Sequence, residues 1–136
     1  MPKLPLPPEV DRLLRKANPA VIATLRADGS PHTAVTWYDW DGERILVNMD
    51  STRLRLKNLR RDPRATLTVM DGESWYRQVT LLGRAVEIRD DSEFKDIDRL
   101  SLRYTRRQFS NRLRTRISAL IEPESWYGWQ GSSHWP

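Results

Sequence analysis

The sequence predicts a small, mainly β domain of six antiparallel strands with short helices, arranged as a closed or nearly closed barrel. Three observations carry that expectation. Short apolar, β-branched stretches recur along the chain, separated by turn chemistry at Ala27-Asp28-Gly29-Ser30, Asp41-Gly42 and Asp71-Gly72-Glu73. The longest stretch, Trp75 to Arg89, shifts the phase of its apolar alternation in mid-course, as strands do at the bulges and bends that close small barrels. The chain has 136 residues and no cysteine. That length buries about two-thirds of the unfolded surface in one core, with no disulfide to staple it.

The elements follow in order. After a proline-rich start, Val10, Leu13 and Leu14 fall at helical spacing within Glu9 to Lys16, and Asn18-Pro19 ends that helix. Ala20 to Leu25 and Pro31 to Trp40 read as a hairpin, and Arg44 to Met49 as a third strand returning against the second. Asp50 and Ser51 are placed to cap a helix from Thr52 to Arg61, which turns Leu56 and Leu59 inward and stops at Asp62-Pro63. Ala65 to Met70 is the fourth strand. The fifth, Trp75 to Arg89, carries Val79, Leu81 and Ala85 in one phase and Val86 and Ile88 in the other, so a bulge is expected around Gly83-Arg84. Asp90-Asp91-Ser92 caps a helix in which Phe94, Ile97, Leu100 and Tyr104 share a face. Arg106 to Arg116 reads as a basic connector, Ile117 to Ile121 as the last strand, closed by Glu122-Pro123, and the rest as a tail rich in tryptophan (Trp126, Trp129, Trp135). Residues 1–136 form one domain, with 1–8 and 128–136 expected as extended or mobile tails.

Lys and Arg total 23 against 18 Asp and Glu, for a net charge of +5, and 19 of the 23 are arginine. Arginine suits bidentate binding of phosphate or carboxylate, yet charge alone is equally compatible with nucleic acid, an acidic cofactor or a solvated surface. Without cysteine, thiol nucleophiles and Cys-ligated metals are excluded, and with only His32 and His134 as imidazoles no metal site is expected. His32 stands beside a turn with no carboxylate spaced to orient it, and the chain lacks a nucleophile elbow and a Gly-rich phosphate loop; no catalytic residue is assigned. No apolar run approaches the ~20 residues of a membrane span, and the N-terminus lacks a signal peptide's apolar segment, so a cytoplasmic protein is expected.

Three clusters could carry chemistry. Ser51 to Pro63 joins a helix N-terminus to cations, with Arg53 and Lys57 four residues apart on one face, which suits a phosphate; a solvated amphipathic helix has the same pattern. Trp37, Tyr38, Trp40, Trp75 and Tyr76 could flank a planar heterocycle or fill a core. Arg99, Arg103, Arg106, Arg107, Arg112, Arg114 and Arg116 form a run with no acid between Asp98 and Glu122. It could take RNA or a cofactor's acidic tail, but without an RNA-recognition signature or zinc-finger spacing nucleic acid is the minor reading.

Taken together, Ala23 to His32, the helix Thr52 to Pro63 with Arg64-Ala65, and Leu82-Gly83-Arg84-Ala85 resemble the pyridoxamine-phosphate-oxidase-like superfamily of flavin- and deazaflavin-dependent oxidoreductases. The resemblance implies a six-stranded split β-barrel of the FMN-binding type and a homodimer with its cofactor in clefts at the subunit interface. It implies that Arg53, Arg55 and Lys57 hold the cofactor phosphate and that Ala34, Val35, Thr36 and Trp37 lie along the tricyclic ring. Trp75 and Arg77 would approach from the next hairpin, and Asn58 is a further candidate. The chain looks closer to the branch using the deazaflavin coenzyme F420, being much shorter than the true oxidases, and Arg103-Tyr104-Thr105-Arg106-Arg107 is similar to that branch's late helix. The coenzyme's lactyl-oligoglutamate tail would suit the positive charge, which acts over a Debye length of ~10 Å. The activity so implied is hydride transfer from reduced coenzyme F420 to an unsaturated or conjugated small-molecule acceptor. The alternatives are an FMN-dependent flavoprotein of the same fold and a non-catalytic flavin- or deazaflavin-binding protein.

Overall fold

The structure, a computed structural model, describes residues 4–131 and the backbone of residues 133–135. Helix α1 (Pro8–Arg15) starts on a proline, where a missing N–H costs nothing, and buries Val10, Leu13 and Leu14. Strand β1 (Ala20–Leu25) pairs antiparallel with β2 (Pro31–Thr36). Their turn is set by Gly29 at φ 85° and by the Asp28 carboxylate, which accepts from Ser30 N at 2.9 Å and Ser30 Oγ at 2.6 Å.

The expected strand Pro31 to Trp40 is broken in two. After Thr36 the chain turns a corner, and Asp39–Trp40 (β3) pairs instead with β4 (Ile45–Asp50) at the far edge of the sheet. Tyr38 holds the corner: its ring is buried and its hydroxyl donates to Leu14 O at 2.9 Å and Lys16 O at 3.0 Å, at the end of α1. Strand β4 therefore takes most of its pairing from the C-terminal strand, not from the second.

Helix α2 (Leu54–Arg61), β5 (Arg64–Met70), β6 (Arg77–Asp90), α3 (Lys95–Thr105), β7 (Arg116–Gln130) and β8 (Ser133–Trp135) complete the chain. The hydrogen-bonded order is β2-β1-β5-β6-β7-β4-β3, every pairing antiparallel, with β8 added to β7. The strand count thus differs from the expected six, and the sheet is not closed. Its two ends, β2 and β3, are joined through the chain at Trp37-Tyr38 and not by a ladder. Ile22, Met49, Leu59, Leu67, Leu81, Ile121 and Trp126 form the centre of the core.

The phase change in β6 corresponds to two irregularities in its pairing with β7. Leu82 faces Ser125 but Gly83 faces Pro123, leaving Glu124 unpaired; Ala85 faces Ile121 but Glu87 faces Leu120, leaving Val86 unpaired. The bulge expected near Gly83-Arg84 is present with its extra residue on the partner strand, and the second bulge accounts for the shift at Val86. At the first, the backbones approach so closely that a Cβ on Gly83 would overlap Glu122 O.

This geometry corrects the C-terminal expectation. The last strand does not end at Glu122-Pro123, because a proline beside a bulged residue breaks no regular ladder bond, and β7 runs on to Gln130. Residues 128–130, expected in a tail, are paired strand, and Trp126 is 1% exposed in the core. At the other end Pro8 belongs to α1 and Leu6 packs against the core. Residues 1–3, 132 and 136 and the Trp135 side chain lie outside the described residues. No helix among the described residues is long and apolar enough to cross a membrane.

Candidate functional site

The site is built around the start of α2. Asp50, expected to cap this helix, is engaged one step earlier: its Oδ1 accepts from Thr52 N at 2.9 Å and from the Thr52 hydroxyl, and its Oδ2 lies 3.2 Å from Arg53 Nε. The helix therefore begins at Leu54, two residues later than expected, with Arg53 as an N-cap whose side chain caps nothing. Its first N–H groups and the positive end of its dipole are left open.

At about 100° per residue, Arg53 and Lys57 return to one side of the helix while Arg55 points roughly 200° away from Arg53. Arg55 consequently borders a different cleft from Arg53 and Lys57. An inner cleft of about 260 Å³ lies between Val35, Thr36 and Trp37, where β2 ends, and Arg55, Phe109 and Arg116. A middle cleft of about 320 Å³ shares Phe109 and Arg116 with it and adds Arg53 and Arg114. An outer cleft of about 460 Å³ shares Arg53 and adds Lys57 and Arg60.

The inner cleft holds charge that the nearby Asp50 and Asp91 compensate only in part. Arg55 Nε is buried with no hydrogen-bond partner. Its pKa is lowered, first by burial and then by the neighbouring Arg53 and Arg116. Arg116 is lowered too, chiefly by burial; its Nε donates to Asn48 Oδ1 at 2.9 Å and its guanidinium lies 4.8 Å from the Phe109 ring centre. Cations kept this way are relieved by a bound anion. Trp37 forms the aromatic wall, stacked on Tyr104 (5.5 Å, 11°) and edge-on to Phe109 (6.3 Å, 87°).

Several expected site residues stand elsewhere. Ala34 packs against the core. Asn58 is fully buried; it donates to Thr24 Oγ1 at 3.0 Å and accepts from Arg61 at 3.2 Å, tying α2 to β1 away from all three clefts. Trp75 and Arg77 sit at the β5–β6 turn, the first exposed against Tyr76 and the second 4.0 Å from Asp71, and neither lines these clefts. The basic run is also divided. Arg99 pairs with Asp39 at 2.8 Å, Arg112 with Asp98 at 2.7 Å, and Arg103 donates to backbone carbonyls, leaving Arg114 and Arg116 to reach the clefts. Phe109 and Asn48 had no signal in the sequence, since non-local pairing brings them there. Among the described residues no group of three His, Cys, Asp or Glu could hold a metal ion.

The Asp50 carboxyl is held below the ordinary carboxylate range, first by its hydrogen bond from Thr52, with Arg53 and Arg114 adding to it. A depressed carboxyl stabilises the fold above its unfolded pKa of about 4, and that contribution fades as pH falls through the folded value. Thermal unfolding followed from about pH 6 to about pH 2.5 should show Tm falling below about pH 4, and less steeply for Asp50→Asn. Equal slopes would remove Asp50 from the acid sensitivity.

Residues 6–130 match the pyridoxamine 5′-phosphate oxidase family. The chain belongs to this family. Three solved structures with the family's split-barrel fold illustrate the likeness. An F420 reductase is 24% identical with a TM-score of 0.83, the match covering 89% of this chain and 98% of that one. A conserved hypothetical protein from Mycobacterium tuberculosis is 25% identical with a TM-score of 0.74, covering 94% and 86% of the two chains. General Stress Protein 26 from Bacillus anthracis is 17% identical with a TM-score of 0.66, covering 89% and 91%. The pyridoxamine 5′-phosphate oxidase family is of oxidoreductase type and its fold binds flavin-type cofactors.

Proposed function

We propose that this protein is an oxidoreductase that transfers a hydride from reduced deazaflavin coenzyme F420 to an unsaturated or conjugated small-molecule acceptor. The observation that carries this reading is Arg55, whose buried Nε lacks any partner beside the open start of α2, with Arg53 and Arg116 near it. Such a site fits the phosphate of a phosphorylated cofactor, and the Trp37 wall fits the edge or face of a planar ring.

The chain's own residues then have distinct tasks. Arg55 holds the phosphate beside the start of α2, Arg53 and Lys57 on the other side of that helix hold further negative charges of the cofactor, and Val35, Thr36 and Trp37, with the backbone at Ala34, position the ring. Trp37 is braced by Tyr104 and Phe109, so it orients its neighbour with little rotamer freedom to lose and keeps water from that side. No side chain acts as a nucleophile, and the proton that completes the reduction comes from solvent or an arginine-bound water.

Two copies of the chain complete the site in this reading. Val35 is 78% exposed at the cleft mouth, and Trp75 and Tyr76 are 67% and 62% exposed at a distant turn. Trp75 and Arg77, remote from their own clefts, would reach the partner's. FMN, the second reading, shares the phosphate and the tricyclic ring. Arg53, Lys57, Arg60 and Arg114 extend the positive lining across two further clefts, which favours a ligand with several negative charges over one carrying a single phosphate.

Fluorescence titration of cofactor-free protein with coenzyme F420 and with FMN tests the reading. Tighter binding of coenzyme F420 is expected, and Arg53→Glu with Lys57→Glu should weaken it by about 100-fold or more, since two charge-assisted contacts become repulsions. An unchanged affinity in the folded variant would reject the anchor. Binding of neither cofactor by the unmodified protein would reject the reading itself.

A further inference from the structure

We infer that Arg116 opposes Arg55 as the second arm of a phosphate clamp, and that Asn48 is the positioning residue that aims it. This rests on the reading that the cleft takes a phosphorylated tricyclic cofactor. The β4–β7 ladder sets Asn48 opposite Ser118 and Asp50 opposite Arg116, which brings position 116 to the start of α2. Asn48 is 5% exposed, and its amide NH₂ donates to Asp91 Oδ2 at 3.1 Å and Ser118 Oγ at 2.9 Å. Both donor positions are thereby filled from below, so the amide cannot flip, and Oδ1 is left to accept Arg116 Nε at 2.9 Å. The supports are themselves fixed: Ser118 Oγ donates to Asp96 Oδ2 at 2.7 Å, and Asp91 accepts from the backbone N–H groups of Asp96 and Ile97.

An arginine held only by Nε keeps its two Nη groups for a ligand. Among the described residues those of Arg116 bond to no protein atom, whereas Arg103 places every guanidinium nitrogen on a carbonyl. Phe109 against the guanidinium face leaves its edge as the binding side. Across the same cleft stands Arg55 with its partnerless Nε. Two oxygens of one phosphate can bridge the pair, which leaves Arg53, Lys57 and Arg60 for further negative charges on the same ligand.

FMN against riboflavin, a pair that differs only in phosphate, isolates the clamp, and coenzyme F420 against its phosphate-free core, which lacks the lactyl-oligoglutamate tail as well, is the second pair. Arg116→Gln should cut the preference for the phosphorylated member by about 30-fold and leave the phosphate-free member's affinity unchanged. Arg116→Lys should recover only part of the preference. Asn48→Ala should lose preference in the same sense, and the double variant should be no worse than Arg116→Gln alone, a non-additivity that general destabilisation would not produce. A preference untouched by Arg116→Gln overturns the clamp while leaving the cofactor reading standing. Should neither pair bind, inorganic phosphate separates the two ideas. A Tm rise in the unmodified protein that Arg116→Gln abolishes supports the clamp without the cofactor, and no rise overturns both.

Discussion

Replacing Gly83 by alanine is expected to lower stability by about 3 kcal/mol, a fall in Tm of roughly 10 °C. The added Cβ would overlap Glu122 O and sit 2.9 Å from Pro123 Cα, both backbone atoms of the paired strand. A side-chain neighbour could rotate away; a backbone carbonyl in a ladder can move only by dragging the ladder. The strain falls at the bulge that lets β6 and β7 bend together, so relief there costs pairing on either side. Gly72→Ala is the control, because its Cβ would make only ordinary contacts, at 3.5 Å to Asn18 and 3.8 Å to Pro19. Thermal unfolding of the two variants should differ widely, and an unchanged Tm for Gly83→Ala would mean that the strands do not approach as described.

Arg103→Ala is expected to cost about 3 kcal/mol through a different mechanism. The guanidinium donates to Tyr38 O at 2.9 Å, Arg15 O at 2.7 Å, Leu14 O at 3.1 Å and Lys16 O at 2.7 Å. Leu14, Arg15 and Lys16 carry carbonyls at the end of α1 that no further helical turn can satisfy. One side chain from α3 thus caps α1 and holds the corner at Tyr38. Arg103→Lys should restore less than half of the loss, since a compact ammonium cannot span four acceptors. Chemical denaturation checks this, and a loss below about 0.5 kcal/mol for Arg103→Ala would mean that water satisfies these carbonyls equally well.

Arg103 also shows where reading from sequence stops. In the chain it is one arginine in a basic run, with nothing local to separate it from Arg116. Their opposite fates are decided by α1 and β3 in one case and by the pairing of β4 with β7 in the other. Local signals fared better. The β1–β2 turn, the buried face of α1 and the phase break in β6 each follow from residues close in sequence. The cations at the start of α2 were legible in the chain, as was the strand that ends at Thr36. The break at Trp37-Tyr38 was not, because apolar alternation continues through it while the partner strand changes. Nor was the extension of β7, since Pro123 is tolerable only beside the bulge at Glu124, opposite distant Gly83.

The break in the sheet has a mechanical meaning. A barrel closed by a full ladder is stiff all round, but here the two terminal strands meet only through the covalent link at Trp37-Tyr38. Val35, Thr36 and Trp37, one wall of the inner cleft, stand at that seam. A change in the width of that cleft would bend the corner against the ring contacts of Trp37 with Tyr104 and Phe109 and the hydrogen bonds of Tyr38 with Leu14, Lys16 and Arg103. That wall of the inner cleft is thus tied to the rest of the shell by covalent chain and side-chain contacts, where every other junction in the sheet is a ladder.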